Sequence, residues 1–130
     1  MSDRLRPHHV AVIASDYPRS KHFYTEVLGM SVIAETYREA RQSWKLDLAM
    51  EGGVQIELFT FPNAPARPTR PEAQGLRHLA FAVDDLDAWC ARLQEHGVEV
   101  EPVRVDEFTN ARFTFFQDPD GLPLELYESS

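Results

Sequence analysis

The chain has 130 residues, of which 43% are hydrophobic and 26% are charged. From these values we expect one globular domain, or two half-sized modules that share a core, and not a larger multi-domain protein. The net charge of −8 would repel a phosphate backbone, so nucleic acid is not an expected partner. No apolar stretch approaches the roughly 18 residues of a membrane span, and no signal-peptide core is present at the N-terminus. We therefore expect a cytoplasmic protein without membrane contact.

The sequence contains an internal repeat. His9 opens the segment HVAVIASD and His78 opens HLAFAVDD, and each segment ends on an Asp seven residues after its His. A helix-like stretch follows and ends at Gly29 or Gly97, which lie 20 and 19 residues after the histidines. A later strand-like segment, VQIELF or LPLELY, places a Glu 48 or 47 residues after the His. Landmarks that keep their spacing to within one residue indicate two copies of one unit.

Each copy has the pattern of a βαβββ unit, which predicts an α+β fold built from two modules. A helix N-cap is expected at Asp16 in the first copy and at the Asp84–Asp85 pair in the second. The predicted helices are Tyr17–Leu28 and Leu86–His96. After the first strand of each copy, the predicted strands are Ser31–Tyr37, Gln42–Ala49 and Val54–Thr60, then Val98–Val105, Arg112–Gln117 and Pro123–Tyr127.

A proline-rich segment separates the two copies. Proline recurs at every third position from Pro62 to Pro71, which favours an extended, solvated linker over residues 62–75. The sequence therefore predicts one domain over residues 1–130, with modules at about 5–61 and 76–128.

Four polar residues of the repeat belong to one face of their predicted strands. Because side chains alternate across a strand, the apolar residues on either side of each belong to the opposite face, which packs under the helices. Carboxylates on a half-buried face need charge compensation, and carboxylate together with imidazole suits a borderline divalent metal. The sequence therefore predicts one divalent metal ion, with open positions for water or substrate. The four predicted ligands are His9, Glu57, His78 and Glu125.

The other three histidines receive different interpretations. His8 falls on the apolar face by alternation and is interpreted as structural or as a neighbour that orients a ligand. His22 lies in the first predicted helix. His96 lies at the C-terminal end of the second helix, where a cation complements the helix dipole. The single Cys90 has no disulfide partner and is interpreted as a small hydrophobic residue of that helix.

Three segments of the chain resemble the vicinal oxygen chelate superfamily, and in particular glyoxalase I-like (lactoylglutathione lyase-like) proteins. They are HHVAVIASDYPRSKHFYTEVLGM, GLRHLAFAVDDLDAW and DPDGLPLELYE, and the resemblance covers nearly the whole chain. It implies that the modules form a cupped glyoxalase/bleomycin resistance/dioxygenase-type barrel around a metal, within one chain or across a dimer. We expect a homodimer. The resemblance places the metal on the same four residues, with nickel or zinc expected and cobalt, manganese or iron as alternatives.

Glu57 distinguishes the branches of the superfamily. Ring-cleaving dioxygenases and fosfomycin-resistance transferases usually lack a carboxylate at this position, epimerases tend to have Gln, and bleomycin-binding members lack the metal residues altogether. The resemblance therefore implies a lyase or isomerase of the glyoxalase I type, acting on a small oxygenated substrate such as a 2-oxoaldehyde adduct. Glu125 or Glu57 would be the catalytic base. A ring-cleaving iron dioxygenase and a non-catalytic small-molecule binding or resistance protein are the alternatives.

Two positions make glutathione a doubtful substrate component. Superfamily enzymes that use glutathione typically carry Arg four residues after the first ligand and Asn four residues after the second, where this chain has Ile13 and Phe61. Neither side chain forms a charge-assisted or amide hydrogen bond. Candidate cationic contacts elsewhere are Arg112 and the linker residues Arg67 and Arg70, with ordinary surface arginines as the alternative. Aromatic residues that could line a cavity or the core are Tyr24, Phe59, Phe115 and Tyr127.

Overall fold

The structure is a computed structural model that describes residues 4–129. It divides into two compact units, with the boundary between Pro65 and Ala66. In chain order, the first unit contains β1 His9–Ile13, α1 Tyr17–His22, a π-helical turn Phe23–Val27, β2 Ser31–Arg38, a 3-10 turn Glu39–Arg41, β3 Ser43–Ala49 and β4 Gln55–Phe59. The second contains β5 Leu79–Val83, α2 Leu86–Glu95, β6 Arg104–Val105, β7 Arg112–Gln117 and β8 Pro123–Glu128.

Each unit, called a module below, folds around its own four-stranded mixed sheet. The strand order is β1-β4-β3-β2 in the first module and β5-β8-β7-β6 in the second. In both, the first strand runs parallel to the last, and the remaining neighbours are antiparallel. The prediction of an α+β fold from two βαβββ modules is confirmed. No strand pairing among residues 4–129 joins the sheets into a closed barrel, so the modules carry two open sheets.

Side-chain caps start both helices at the predicted residues. The Asp16 carboxylate accepts a hydrogen bond from the Arg19 backbone N–H at 3.1 Å, and the Asp85 carboxylate accepts one from the Ala88 N–H at 3.0 Å. Each bond satisfies a backbone donor that the first turn of a helix leaves free. In the second module His96 caps the C-terminus of α2, as expected from the sequence.

The predicted alternation of faces is confirmed in the core. Strands β4 and β8 each bury two side chains at alternate positions, and these apolar neighbours of Glu57 and Glu125 are among the most buried of the described residues. Ile56, Leu58, Leu124 and Leu126 are at most 2% exposed. Burial of this kind stabilises a fold by about 1.5–3 kcal/mol per large aliphatic side chain. The polar face of each sheet is therefore determined by the apolar face beneath it.

Several element boundaries differ from the prediction by one residue, and three differences change the local structure. The strand expected over Val98–Val105 shortens to Arg104–Val105, because Pro102 has no N–H for the ladder; Glu101 instead donates its N–H to the Phe115 carbonyl at 3.0 Å. The first helix is α-helical only to His22 and continues as the π-helical turn. Strand β5 begins at Leu79, so His78 lies directly before the strand rather than within it.

Polar contacts attach the first helix to its own sheet. In the first module the Glu35 carboxylate accepts hydrogen bonds from the Tyr17 hydroxyl and from Lys21 Nζ, the latter at 2.7 Å. The hydrogen bond from Lys21 is the main cause that lowers the pKa of Glu35. Burial is the main cause that raises the pKa of Tyr17, and the neighbouring Glu35 carboxylate adds to it.

Among residues 4–129, no helix is long and apolar enough to cross a membrane.

Candidate metal and substrate site

Each module brings one predicted His–Glu pair together. In the first, His9 Nδ1 lies 3.4 Å from Glu57 Oε2. In the second, His78 Nε2 lies 3.1 Å from Glu125 Oε1. Residues separated by 48 and 47 positions in the chain therefore have adjacent side chains. The spacing of the repeat pointed to both pairs.

Equal strand register explains why the same pair forms twice. In the first module Glu57 on β4 pairs with Ala11, two residues after His9, on the parallel strand β1. In the second, Glu125 on β8 pairs with Ala80, two residues after His78. Since paired residues share a face of a sheet, Glu57 lies on the face of His9, and Glu125 lies on the face of Ala80, near His78 just before β5. The pairing of the first strand with the last strand thus brings a histidine and a glutamate together in each module.

Both glutamates are largely buried, whereas the histidines are more accessible. The side chains of Glu57 and Glu125 are 15% and 13% exposed, against 41% for His9 and 25% for His78. A carboxylate removed from water to this extent requires a charge or hydrogen-bond partner. Carboxylate and imidazole are donor types that borderline divalent metals accept. Each module by itself therefore supplies two donors of suitable chemistry for a divalent cation.

Three polar residues of the first module, two of them beside Glu57 and one beside Phe59, were not predicted from the sequence. Asp47 on β3 pairs directly with Glu57, and Lys45 Nζ lies 2.7 Å from Asp47 Oδ1 and 3.9 Å from Glu57 Oε1. The Arg38 guanidinium lies 4.9 Å from the centroid of the Phe59 ring. Alternation in the segment SWKLDLA, where Lys45 and Asp47 alternate with buried leucines, was the signal that could have placed them on the Glu57 face.

The corresponding positions of the second module are aromatic. Phe115 pairs with Glu125 as Asp47 pairs with Glu57, and Phe113 pairs with Tyr127 as Lys45 pairs with Phe59. The Phe115 ring meets the His78 ring edge-on, with centroids 5.0 Å apart. The two His–Glu pairs therefore have different surroundings despite their common register.

The candidate aromatic residues divide between core and polar face. Tyr24 is completely buried in the core of the first module. Register places Phe59, Phe115 and Tyr127 on the faces that carry the glutamates. The Tyr127 hydroxyl contacts Thr109 and donates a hydrogen bond to Asp106 Oδ2 at 3.1 Å. The Phe108 backbone N–H is the main cause that lowers the Asp106 pKa, and the Tyr127 hydroxyl adds to it.

Ile13 and Phe61, which occupy the positions of the glutathione contacts in related enzymes, are apolar and accessible. Ile13 is 53% exposed and pairs with Phe59, while Phe61 is 37% exposed and stacks on the Phe59 ring with centroids 6.0 Å apart. Two cations lie nearby: the Arg38 guanidinium is 5.6 Å from the centroid of the Phe61 ring, and Lys45 Nζ is 5.9 Å from that of Phe59. Ile13 and Phe61 therefore belong to an apolar surface, and neither offers the polar group expected at its position in a glutathione-using enzyme.

The other histidines lie apart from the predicted ligand positions, except for one. His8 Nδ1 lies 2.9 Å from His9 Nδ1, so its ring contacts a predicted ligand directly. His22 is the exposed last residue of α1, and His96 is the exposed cap of α2. The interpretation of His8 as a neighbour of the ligand thus agrees with its contact.

The three arginines selected from the sequence have different environments. Arg112 forms ion pairs with Glu128 and Asp87, at 2.9 and 3.2 Å, on the face opposite Glu125. It therefore has the alternative, structural role. Arg67 donates to the carbonyl oxygens of two residues, Leu76 and Arg77, at 2.7 and 3.2 Å. Together with Arg70, Arg67 lines a cavity that His78 also borders.

No group of three or more His, Cys, Asp or Glu side chains within residues 4–129 is placed to hold a metal ion. The complete four-residue site therefore stays a prediction, of which the two His–Glu pairs are formed separately. Cys90 is a half-buried free thiol, and burial raises its pKa.

The chain belongs to the Glyoxalase/Bleomycin resistance protein/Dioxygenase superfamily, whose family model matches residues 6–126. Members generally use divalent metals and bind small molecules, and the superfamily includes lyases and transferases. This agrees with the paired-module fold and with the His and Glu donors.

Three proteins show the range of its similarity. The uncharacterized protein YaeR of Escherichia coli (strain K12) is 63% identical, covering 93% of this chain and 94% of its own. A Vibrio cholerae protein named "Probable lactoylglutathione lyase" is 33% identical over 93% of this chain and 88% of its own. The crystal structure of a glyoxalase family protein from Enterococcus faecalis has a TM-score of 0.88 at 51% identity, covering 95% of this chain and 97% of that one.

Proposed function

We propose that the protein is a divalent-metal-dependent lyase or isomerase of the glyoxalase I type. Its substrate would be a small oxygenated molecule such as a 2-oxoaldehyde adduct, and the reaction a proton transfer next to a carbonyl. The observation that carries the proposal is the repeated His–Glu pair, formed once in each module with the same strand register. The likeness to a protein named as a lactoylglutathione lyase supports it.

The donor chemistry supports the proposed ligand set of His9, Glu57, His78 and Glu125. Each module supplies one imidazole and one largely buried carboxylate, and both elements of that pair are donors for nickel or zinc. Cobalt, manganese and iron accept the same donors. When bound, the ion would supply Lewis-acid stabilisation of charge on substrate oxygens.

The chain's own residues would orient the substrate and move a proton. A carboxylate oxygen of Glu125, or of its counterpart Glu57, would accept the proton from a substrate carbon and return it to the neighbouring carbon. His8 touches His9 and would help to orient that imidazole. The aromatic residues on the glutamate faces would exclude water around the reacting atoms.

The choice of thiol follows from the first module. Glutathione would meet Ile13 and Phe61 where related enzymes supply an arginine and an amide. We therefore expect a different thiol adduct, or an adduct-free oxygenated metabolite, to be the better substrate. A homodimer is part of this proposal, and sedimentation of the purified protein would test it: a monomer at all concentrations contradicts it.

Metal analysis tests the ligand set. Protein purified without chelator should contain about one divalent ion per chain, because four neutral or anionic donors favour a single cation. His78→Ala and Glu57→Gln should each lower the metal content at least about tenfold. Stoichiometric metal in both variants would contradict the proposal.

Asp47→Asn is the matched control for Glu57→Gln. Asp47 lies on the neighbouring strand, pairs with Glu57 and also carries a carboxylate, but it is not a proposed ligand. Its metal content should fall less than that of Glu57→Gln, because Asp47 would influence the ion only through its neighbour Glu57. An equal loss in both variants would show a general charge effect instead of ligation.

Activity is tested with the hemithioacetals that methylglyoxal forms with several thiols. Turnover should occur with at least one adduct in the nickel, zinc, cobalt or manganese form. Absence of turnover with all adducts and metals would exclude the glyoxalase-like reaction. Oxygen consumption with a catechol, retained in Glu57→Gln, would identify a ring-cleaving dioxygenase instead.

A further inference from the structure

We propose that the second module contains a binding subsite for an anionic group of the substrate, a carboxylate or a phosphate, built around Arg104 and Arg70. The inference rests on the proposed function and deepens it, because the cavity concerned is bordered by the predicted ligand His78. The subsite narrows the proposed substrate class to oxygenated molecules that also carry a negatively charged group.

The cavity has an unusual charge for this protein. Its volume is about 250 Å³, which suits a small molecule or one end of a larger one. Four arginines against two glutamates give its lining a net charge of +2, whereas the whole chain carries −8. An anion is therefore attracted to this cavity while the rest of the surface repels it. The charged lining residues are Arg67, Arg70, Glu72, Arg77, Glu101 and Arg104.

Arg104 is held in place by aromatic rings. Its guanidinium carbon lies 5.1 Å from the centroid of Phe113 and 5.5 Å from that of Phe115. The Phe115 ring also meets the His78 ring edge-on. Arg104 and His78 therefore contact the same aromatic side chain, and an anion on the guanidinium would lie close to the predicted metal ligand.

The donors of Arg104 and Arg70 are available to a ligand. Arg104 pairs with Glu101 at 3.3 Å, but the two side chains are 53% and 55% exposed, so the pair is weak and a ligand oxyanion can replace Glu101. Arg70 is exposed and interacts electrostatically with Glu72, whose carboxylate is already bonded to Arg77. A guanidinium binds a carboxylate or phosphate through two parallel hydrogen bonds.

The other two arginines support the subsite through charge and position. Arg77 is paired with Glu72, and Arg67 donates to linker carbonyl oxygens. Their hydrogen bonds hold the linker segment beside the cavity. We therefore assign direct anion contact to Arg104 and Arg70 alone.

Anion titration of the full-length protein tests the subsite. Inorganic phosphate and malonate are added separately at constant ionic strength, and backbone amide shifts are followed by NMR. Saturable shifts should appear around the cavity, and Arg104→Gln and Arg70→Gln should each weaken binding about tenfold. Preference for one of the two anions identifies a phosphate or a carboxylate as the group recognised. Shifts that do not saturate with either anion would overturn the proposal.

Matched variants separate recognition from net charge. Arg41→Gln removes one charge from the exposed 3-10 turn of the first module and should leave the dissociation constant unchanged. Glu101→Gln removes the competing carboxylate and should tighten binding about twofold to threefold. Equal weakening in Arg41→Gln and Arg104→Gln would reject a specific site. A dispersed amide spectrum confirms that each variant is folded.

Metal analysis on the same samples distinguishes the two proposals. Arg104→Gln and Arg70→Gln should keep their metal while losing the anion, since neither is a proposed ligand. Metal retained without saturable anion binding would reject the subsite alone. Saturable anion binding in a protein that never retains metal would support the subsite and reject the metal-dependent function.

Discussion

The two modules share one strand register but differ in what surrounds their His–Glu pairs. Glu57 has Asp47 and Lys45 on the neighbouring strand, whereas the same two positions beside Glu125 are phenylalanines. Register depends on the buried alternation, which both copies keep, so the donors remain in equivalent places. Polar-face neighbours do not determine the register and are free to diverge. The two modules therefore have the same strand geometry but different side chains around their His–Glu pairs.

The largest expected effect is a difference in kcat between variants of the two glutamates. Glu125→Asp should lower kcat about 100-fold, because the shorter side chain moves the proposed base about 1 Å away from the proton that it accepts. Glu57→Asp should lower kcat less than about tenfold. Glu125 has one ionic partner within 4 Å among the described residues, His78, whereas Glu57 has His9 and Lys45 and so less freedom to move. Steady-state kinetics on the best thiol adduct, with metal content checked, measures the difference. Equal losses would show that the modules share the role.

Core substitutions test the similarity of the modules. Ile56 and Leu124 each precede a glutamate and are completely buried. Ile56→Ala and Leu124→Ala should each lower the free energy of unfolding by about 2–5 kcal/mol through lost burial and a cavity. Urea denaturation measures both. Val105→Ala, at a position 56% exposed, serves as the control and should cost less than about 0.5 kcal/mol. A loss below about 1 kcal/mol at either core site would contradict equivalent packing.

The smallest expected effect concerns the ionic ties of the helices. Hydrogen bonds from Arg112, and then from the Leu86 N–H, lower the pKa of Glu128, as Lys21 chiefly lowers that of Glu35. A lowered carboxyl pKa stabilises the fold above the ordinary value of 4.5 and loses this contribution as the pH falls through the lower folded value.

Thermal melts at decreasing pH measure this effect. The unchanged protein should lose stability as the pH falls below 4.5, and Arg112→Gln should reduce that dependence by removing the main cause. Lys21→Gln is the corresponding change in the first module. Identical pH profiles for Arg112→Gln and the unchanged protein would show that the ion pair contributes nothing to the fold.

Much of the fold was predictable because its signals are local or periodic. Asp16 and Asp85 cap the helices that their spacing predicted, and alternation assigned Ile56 and Leu124 to the core. The short β6 was not predictable from apolar alternation, because the ladder there depends on where Pro102 interrupts pairing. The start of β5 after His78 likewise depends on its partner strand rather than on local sequence.

Within the candidate site, the repeat pointed to His9, Glu57, His78 and Glu125, and the tertiary structure added which of them touch. Spacing alone determined the candidates because a duplicated unit preserves its positions. Only the folded sheets decided that Lys45 and Asp47 neighbour Glu57, that Arg112 is bound to Glu128 and Asp87, and that Arg104 faces the cavity beside His78. Cross-strand neighbours come from distant parts of the chain, so strand pairing and burial, rather than spacing, determine these contacts.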